Sequence, residues 1–182
     1  MARDQITPPP TSATGAPRLT GGEGQGWNVA MAPAGFERGL LLRSPARFQQ
    51  TAQRLVELYK AHPEVAERDP GLRDAVIDSW MGAQAYAYSA YHTVGLIGKG
   101  AKIGAESSIN KVVWSELDLK MHETAMRILG ARGELRGNAP EAVESGQWLG
   151  GFLFAQAGPI YAGTNEIQRN IIAERMLGLP KA

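Results

Sequence analysis

Near the C-terminus, Tyr161-Ala162-Gly163-Thr164-Asn165-Glu166 leads into Ile167, Ile171, Ile172 and Leu177, apolar residues that recur at helical spacing. Gly163 frees the backbone for a turn, and Thr164 can cap the helix that follows. The spacing predicts a helix from near Thr164 to Gly178, with Pro180 just beyond its end. A helix N-terminus carries free N–H groups and a partial positive charge, so a thioester oxygen, a pyrophosphate or the edge of a flavin would be stabilised there. The same letters also describe an ordinary capped terminal helix, and spacing alone does not separate the two readings.

Other chemistry is limited by composition. The chain has no cysteine, which excludes a disulfide framework, a thiolate metal site and a Cys nucleophile. His62, His92 and His122 never fall at i, i+4, so no histidine pair can hold a metal on one helix face, and satisfied or exposed histidines are expected instead of ligands. Gly21-Gly22-Glu23-Gly24-Gln25-Gly26 has the density of a phosphate-cradling loop, yet no apolar strand precedes it and no Walker lysine follows. It reads as a flexible entry into a helix beginning near Trp27.

The elements that must position the closing turn are helical throughout. Residues 1–18, with Pro8-Pro9-Pro10 among Thr, Ser, Gly and Ala, cannot offset their ordering entropy and are expected as a disordered tail before a helical domain over 19–182. Trp27 to Arg43 predicts two short helices interrupted at Pro33 and Gly35. A further helix runs to Lys60, where Ser44-Pro45 either caps a fresh start or kinks one long helix. Asp69-Pro70 opens a helix over 70 to about 97, ended by Gly98-Lys99-Gly100. Residues 106–129 carry Ile109, Val112, Val113, Leu117, Met121, Ala125, Ile128 and Leu129 as a 3.6-residue stripe. Residues 130–140 read as loop, 141–157 as a shorter helix with Trp148, Leu149, Phe152 and Phe154, and 164–177 as the last helix. With no strand pattern and no internal repeat, the expectation is an all-α, up-and-down helical bundle, whose tryptophans and tyrosines serve mainly core or interface.

The 182 residues suffice for one domain with a sizeable core. A formal charge of +1, from 19 Lys and Arg against 18 Asp and Glu, gives no field to attract nucleic acid or an anionic membrane. No apolar run approaches a membrane span, and the N-terminus lacks a hydrophobic signal core. A cytoplasmic protein with no nucleic-acid or membrane partner is expected.

The stretch from Ile160 to Pro180 resembles the closing motif of the acyl-CoA dehydrogenases, flavoenzymes that desaturate acyl thioesters. Leu19 to Met31, Ser108-Ile-Asn-Lys-Val-Val-Trp-Ser-Glu116 and Leu129-Gly130 are similar to further stretches of that family. The resemblance runs from about Leu19 to Lys181 and corresponds to the C-terminal helical domain. A complete member carries an N-terminal helical domain and a middle β-domain as well, so a split subunit, a truncated gene or a domain put to other use is implied.

By resemblance, FAD would be contacted by Thr164 and Glu166, and the acyl-CoA thioester by Tyr161 and Gly163, with Arg38 a further substrate-binding residue. Many members have a glutamate, the base that removes the α-proton, where this chain has Ala162. Members lacking it take the base from an earlier helix, from a Glu directly before an Arg, and Phe36-Glu37-Arg38 matches that position. Glu37 is thus the candidate catalytic base, and it equally suits a first-turn helix glutamate favoured by the dipole. The family's Arg-x-x-Phe-Gly flavin segment has no counterpart around 60–70, and its Gln before the Leu-Gly loop corresponds to Arg127. An Asp-Pro helix start like Asp69-Pro70 points to a divergent bacterial branch. The resemblance therefore implies a component of an FAD-dependent acyl-CoA dehydrogenase, in a homo-oligomer or in a hetero-oligomer with another such chain that supplies the missing domains. A non-catalytic supporting subunit, a remnant, or a helical binding module without flavin are the alternatives.

Overall fold

A computed structural model describes residues 24–30, 32, 42–101, 104–137 and 139–181. The tail expected over 1–18 and most of the two short helices expected before Arg43 fall outside them. Within the unit formed by residues 1–37, residues 26–30 are helical. Everything below concerns the unit formed by residues 38–182.

Helix α1 spans Pro45–Lys60 and begins on a proline, whose fixed φ suits the first helical turn and whose missing N–H is not needed there. Residues 42–44 are not helical, so Ser44-Pro45 marks a fresh start and not a kink. Phe48, Thr51, Ala52, Leu55 and Leu58, three and four residues apart, form its buried face. A single helical turn, Val65–Arg68, and Pro70 lead into α2, Gly71–Gly98. Helix α3 is Glu106–Leu129, followed by 3-10 turns at Gly130–Glu134 and Val143–Gly146, then α4, Gln147–Ala155, and α5, Asn165–Arg175. No strand occurs among the described residues, and the all-α bundle is the observed class.

Helix α3 is the centre, packing against α1, α2, α4 and α5. Met121, Ala125, Ile128 and Leu129 in its C-terminal half join Phe48, Leu55, Leu72 and Trp148 in one apolar core. Before Met121 the expected stripe holds only in part: Leu117 is buried, but Ile109 and Val113 are 38% and 40% exposed, whereas Ser108, Lys111, Ser115 and Asp118 are buried beside Trp114. The inward face there meets polar groups of its neighbours, which displaces the apolar residues to the outside.

The helix expected over 141–157 starts only at Gln147. Glu144, Ser145 and Gly146 take left-handed φ of 48°, 54° and 70°, which an α-helix does not tolerate. Side-chain bonds hold this strained turn, since the Glu144 carboxylate accepts from Trp148 Nε1 at 2.8 Å and from Arg54 Nε at 3.0 Å.

Helices α3 and α4 approach closely at His122, whose Nδ1 donates to the Asp118 carbonyl oxygen at 2.8 Å while its ring edge meets Trp148. A Cβ on Gly151 would lie 2.2 Å from His122 Nε2, whereas one on Gly150 would meet nothing within 4 Å. Gly151→Ala should lower stability, because overpacking costs about 1–3 kcal/mol and outweighs the gain in helix propensity. Gly150→Ala should raise stability by about 0.5–1 kcal/mol. Urea unfolding of the two variants that moved both midpoints in the same direction would contradict this packing.

Candidate functional site

The closing turn is assembled from the backbone outward. The Asn165 N–H donates to the Pro159 carbonyl at 2.9 Å, closing the loop that contains Tyr161 to Thr164. Ala162 and Gly163 both take positive φ, 56° and 85°, so the glycine is used as its sequence position suggested while the alanine is strained. A Cβ at Gly163 would also come within 2.7 Å of Gln168 Nε2. That buried amide donates to the Ala162 carbonyl at 3.1 Å and fixes the turn from below.

Thr164 is the N-cap of α5, its hydroxyl oxygen accepting from the Ile167 N–H at 3.4 Å, as the sequence predicts. Glu166 stands exposed in the first turn. Its own N–H, the Thr164 hydroxyl and the charges of Arg169 and Lys111 hold its carboxyl below the ordinary range. The N–H groups of Asn165 and Ile167 already have partners within the chain. Two of the free donors anticipated at this helix start are thus engaged, with Thr164 and Glu166 as the polar rim.

Behind the rim lies an aromatic and cationic shelf. The Tyr161 and Trp114 rings lie 5.9 Å apart, with the Arg43 guanidinium over both, 5.2 Å from Trp114 and 5.6 Å from Tyr161. Arg43 also donates to the Tyr161 hydroxyl at 3.0 Å. The backbone of Arg43 is clamped in turn by Tyr86, which accepts from the Arg43 N–H and donates to the Arg43 carbonyl, both at 2.9 Å. Burial pushes the Tyr86 phenol up to about 12, against the opposing effects of that N–H and the Arg43 charge.

Beneath the rim is a buried polar network. Lys111 has no exposed surface and donates from Nζ to Asn165 Oδ1 at 2.6 Å. Asn165 Nδ2 donates to Ser115 Oγ and to Glu116 Oε1, each at 3.1 Å, and Glu116 pairs with Arg169. Burial lowers the Lys111 pKa; Glu166 and Glu116 oppose the shift and Arg169 adds to it.

Of the residues singled out from sequence, Tyr161, Gly163, Thr164 and Glu166 come together in this turn, beside Ala162. Glu37 and Arg38 lie outside the described residues. Arg127, standing where the resembling family has Gln, pairs with Asp69 at 2.5 Å. Sequence reading assigned no site role to Arg43, Lys111, Glu116 or Asn165, and gave Trp114 only the core or interface role expected of the tryptophans. One signal was available: a lysine interrupting the apolar letters Ile109, Val112 and Val113 on a helix otherwise destined for burial. Among the described residues no group of three or more His, Asp or Glu side chains can hold a metal, and no helix is long and apolar enough to cross a membrane.

The family model for the acyl-CoA dehydrogenase C-terminal domain matches residues 24–177. The chain belongs to the acyl-CoA dehydrogenase family. It is 37% identical over 169 residues to acyl-CoA dehydrogenase IpdE1 of Mycolicibacterium smegmatis, covering 92% of this chain and 40% of that protein. Identity to IpdE1 of Mycobacterium tuberculosis is 36% over 169 residues, covering 92% of this chain and 42% of that protein. An acyl-CoA dehydrogenase of Bacillus subtilis is 27% identical over 164 residues, covering 88% of this chain and 41% of that protein. The chain thus spans about two-fifths of the length of these relatives. Two solved structures share the fold. The Tcur3481-Tcur3483 steroid ACAD superposes with a TM-score of 0.73 at 23% identity, covering 86% of this chain and 40% of that one. The ChsE4-ChsE5 complex from Mycobacterium tuberculosis gives 0.65 at 24%, covering 78% of this chain and 38% of that one.

The buried lysine of this acyl-CoA dehydrogenase domain has a pH signature. Its folded-state pKa lies below the ordinary 10.5, so between those two values the unfolded chain binds the proton more readily and stability rises with pH. Below the folded-state value both forms are protonated and the effect is constant. Lys111→Met removes this slope, so wild type should gain stability relative to the variant as pH is raised towards 10.5. Parallel pH–stability curves from urea unfolding would show that the ammonium is not held in a water-poor place.

Proposed function

We propose that this chain is a component of an FAD-dependent acyl-CoA dehydrogenase, acting on an acyl-CoA thioester together with a chain that supplies the other domains of the family. The observation that carries the reading is the closing turn: Tyr161, Gly163, Thr164 and Glu166 stand in one turn, on a domain belonging to this family. Two structures sharing the fold carry two-component names, Tcur3481-Tcur3483 and ChsE4-ChsE5. Ile77, Trp80, Met81, Tyr88 and Tyr91 form an exposed apolar face on α2 of the kind that association covers, in a homo-oligomer or with another acyl-CoA dehydrogenase chain.

The residues present suit a cofactor edge more than an enclosed cofactor. Thr164 and Glu166 are accessible at the rim, while the Asn165 and Ile167 N–H groups are already engaged. FAD, when bound, accepts the hydride that leaves the β-carbon of the thioester. This chain would contribute Thr164 and Glu166 to the flavin, Tyr161, Gly163 and Arg38 to the thioester, and the Glu37 carboxylate to the α-proton. A water-poor setting would raise the pKa of that carboxylate into a useful range, and hydrogen bonds to the thioester oxygen would acidify the proton.

A second reading has its own observation. Ala162 places a methyl group where many relatives carry their base, which suits a supporting subunit that has left the chemistry to a partner.

Two experiments test the proposal, and the second separates the two readings. The isolated chain should lose FAD during gel filtration, because its rim offers few unengaged donors, and stoichiometric retention would relocate the site. In a complex reconstituted with the chain that supplies the other domains, Glu37→Gln should slow flavin reduction by acyl-CoA by roughly 10²–10⁴-fold while substrate binding changes far less. An unaltered rate would move the base to the partner and this chain to the supporting role.

A further inference from the structure

We propose that Lys111 is a positioning residue for the closing turn: by donating to Asn165 it locks the start of α5 onto α3 and so sets where Thr164 and Glu166 stand. The consequence for FAD rests on the reading of those two residues given above. The positioning itself does not.

An ammonium has donors only, whereas a carboxamide has both a donor end and an acceptor end. Lys111 Nζ, 2.6 Å from Asn165 Oδ1, therefore dictates which way the amide faces. With Oδ1 turned to Lys111, Nδ2 is delivered to Ser115 Oγ and Glu116 Oε1, both on α3. The backbone of the same residue is tied separately, through its N–H to the Pro159 carbonyl. Residue 165 is thus held by its main chain on one side and its side chain on the other, directly between the two rim residues. Glu116 repeats the tie one turn further along α5, through Arg169.

Packing alone does not ask for a cation here. Lys111 has no exposed surface, and a methionine of similar volume would fill the space without the desolvation that a buried charge brings. What methionine lacks is the donor. The groups facing the ammonium are Glu116 and Ser115 on α3, and Asn165, Glu166 and Arg169 on α5. The two carboxylates favour the charged form and Arg169 opposes it.

Amide hydrogen exchange by NMR on the full chain tests the role. In Lys111→Met the Asn165 and Ile167 amides should exchange faster by about tenfold or more, while the Met121 and Ala125 amides in the middle of α3 keep their wild-type rates. Asn165→Leu should reproduce the effect from the other side of the bond. Lys111→Gln, which keeps a donor without the charge, should stay within about threefold of wild type. Wild-type protection at 165 and 167 in both disrupting variants, or a uniform rise across α3 and α5, would overturn the proposal.

In the reconstituted complex, half-saturation with FAD should need about tenfold more cofactor for Lys111→Met than for wild type, and nearly the wild-type amount for Lys111→Gln. Faster local exchange with unchanged FAD affinity would overturn the link from Lys111 to the cofactor. If the wild-type complex takes up no FAD, the flavin reading falls and the exchange measurement alone decides the positioning role.

Discussion

Burying the inward face of α3 carries polar groups into the bundle, and Asn110, Lys111, Ser115 and Asp118 each find a partner on a neighbouring helix, whereas Ser108 Oγ and Trp114 Nε1 have none. Asn110 accepts from Ser89 and donates to Thr93, both on α2. Lys111 and Ser115 meet Asn165 on α5, and Asp118 takes Arg47 of α1 at 2.9 Å. Between them these residues address three different neighbours, α2, α5 and α1. An unpaired buried polar group costs several kcal/mol, so a bundle assembled with its helices exchanged would leave some of them unsatisfied. Apolar contacts in the C-terminal half supply cohesion but discriminate less, since leucine and methionine tolerate many partners.

This division explains what was legible in the sequence. The limits of α3 follow directly from its periodic letters and bounding glycines, and the Thr164 cap from the one residue type that fits there. The α-only class and the family likewise follow from the pattern and the long match. The inward face of α3 before Leu117 does not, because a rule that seeks apolar stripes assigns Ile109 and Val113 to the core and passes over Lys111. Its pairing depends on Asn165, more than fifty positions away, and no local pattern encodes a contact at that separation. The late start of α4 was hidden for a related reason. Glu144 and Ser145 are ordinary helical letters, and their left-handed backbone is held by Arg54 on α1 and by Trp148.

The rim of the closing turn joins these levels. Two polar residues stand at a helix start where the Asn165 and Ile167 backbone donors are already occupied, and the residue between them is fastened inward. Such a turn presents fixed chemistry without enclosing anything, which is what a surface completed by another domain requires. Arg43, stacked over Trp114 and Tyr161 and clamped by Tyr86, gives the turn a rigid back wall.

Ala162 keeps a left-handed backbone that glycine would adopt with less strain. The Gln168 amide holds its carbonyl in place regardless of what the side chain is. The loop therefore displays the Ala162 Cβ in a defined direction, and any longer side chain at that position would leave the turn along the same fixed line.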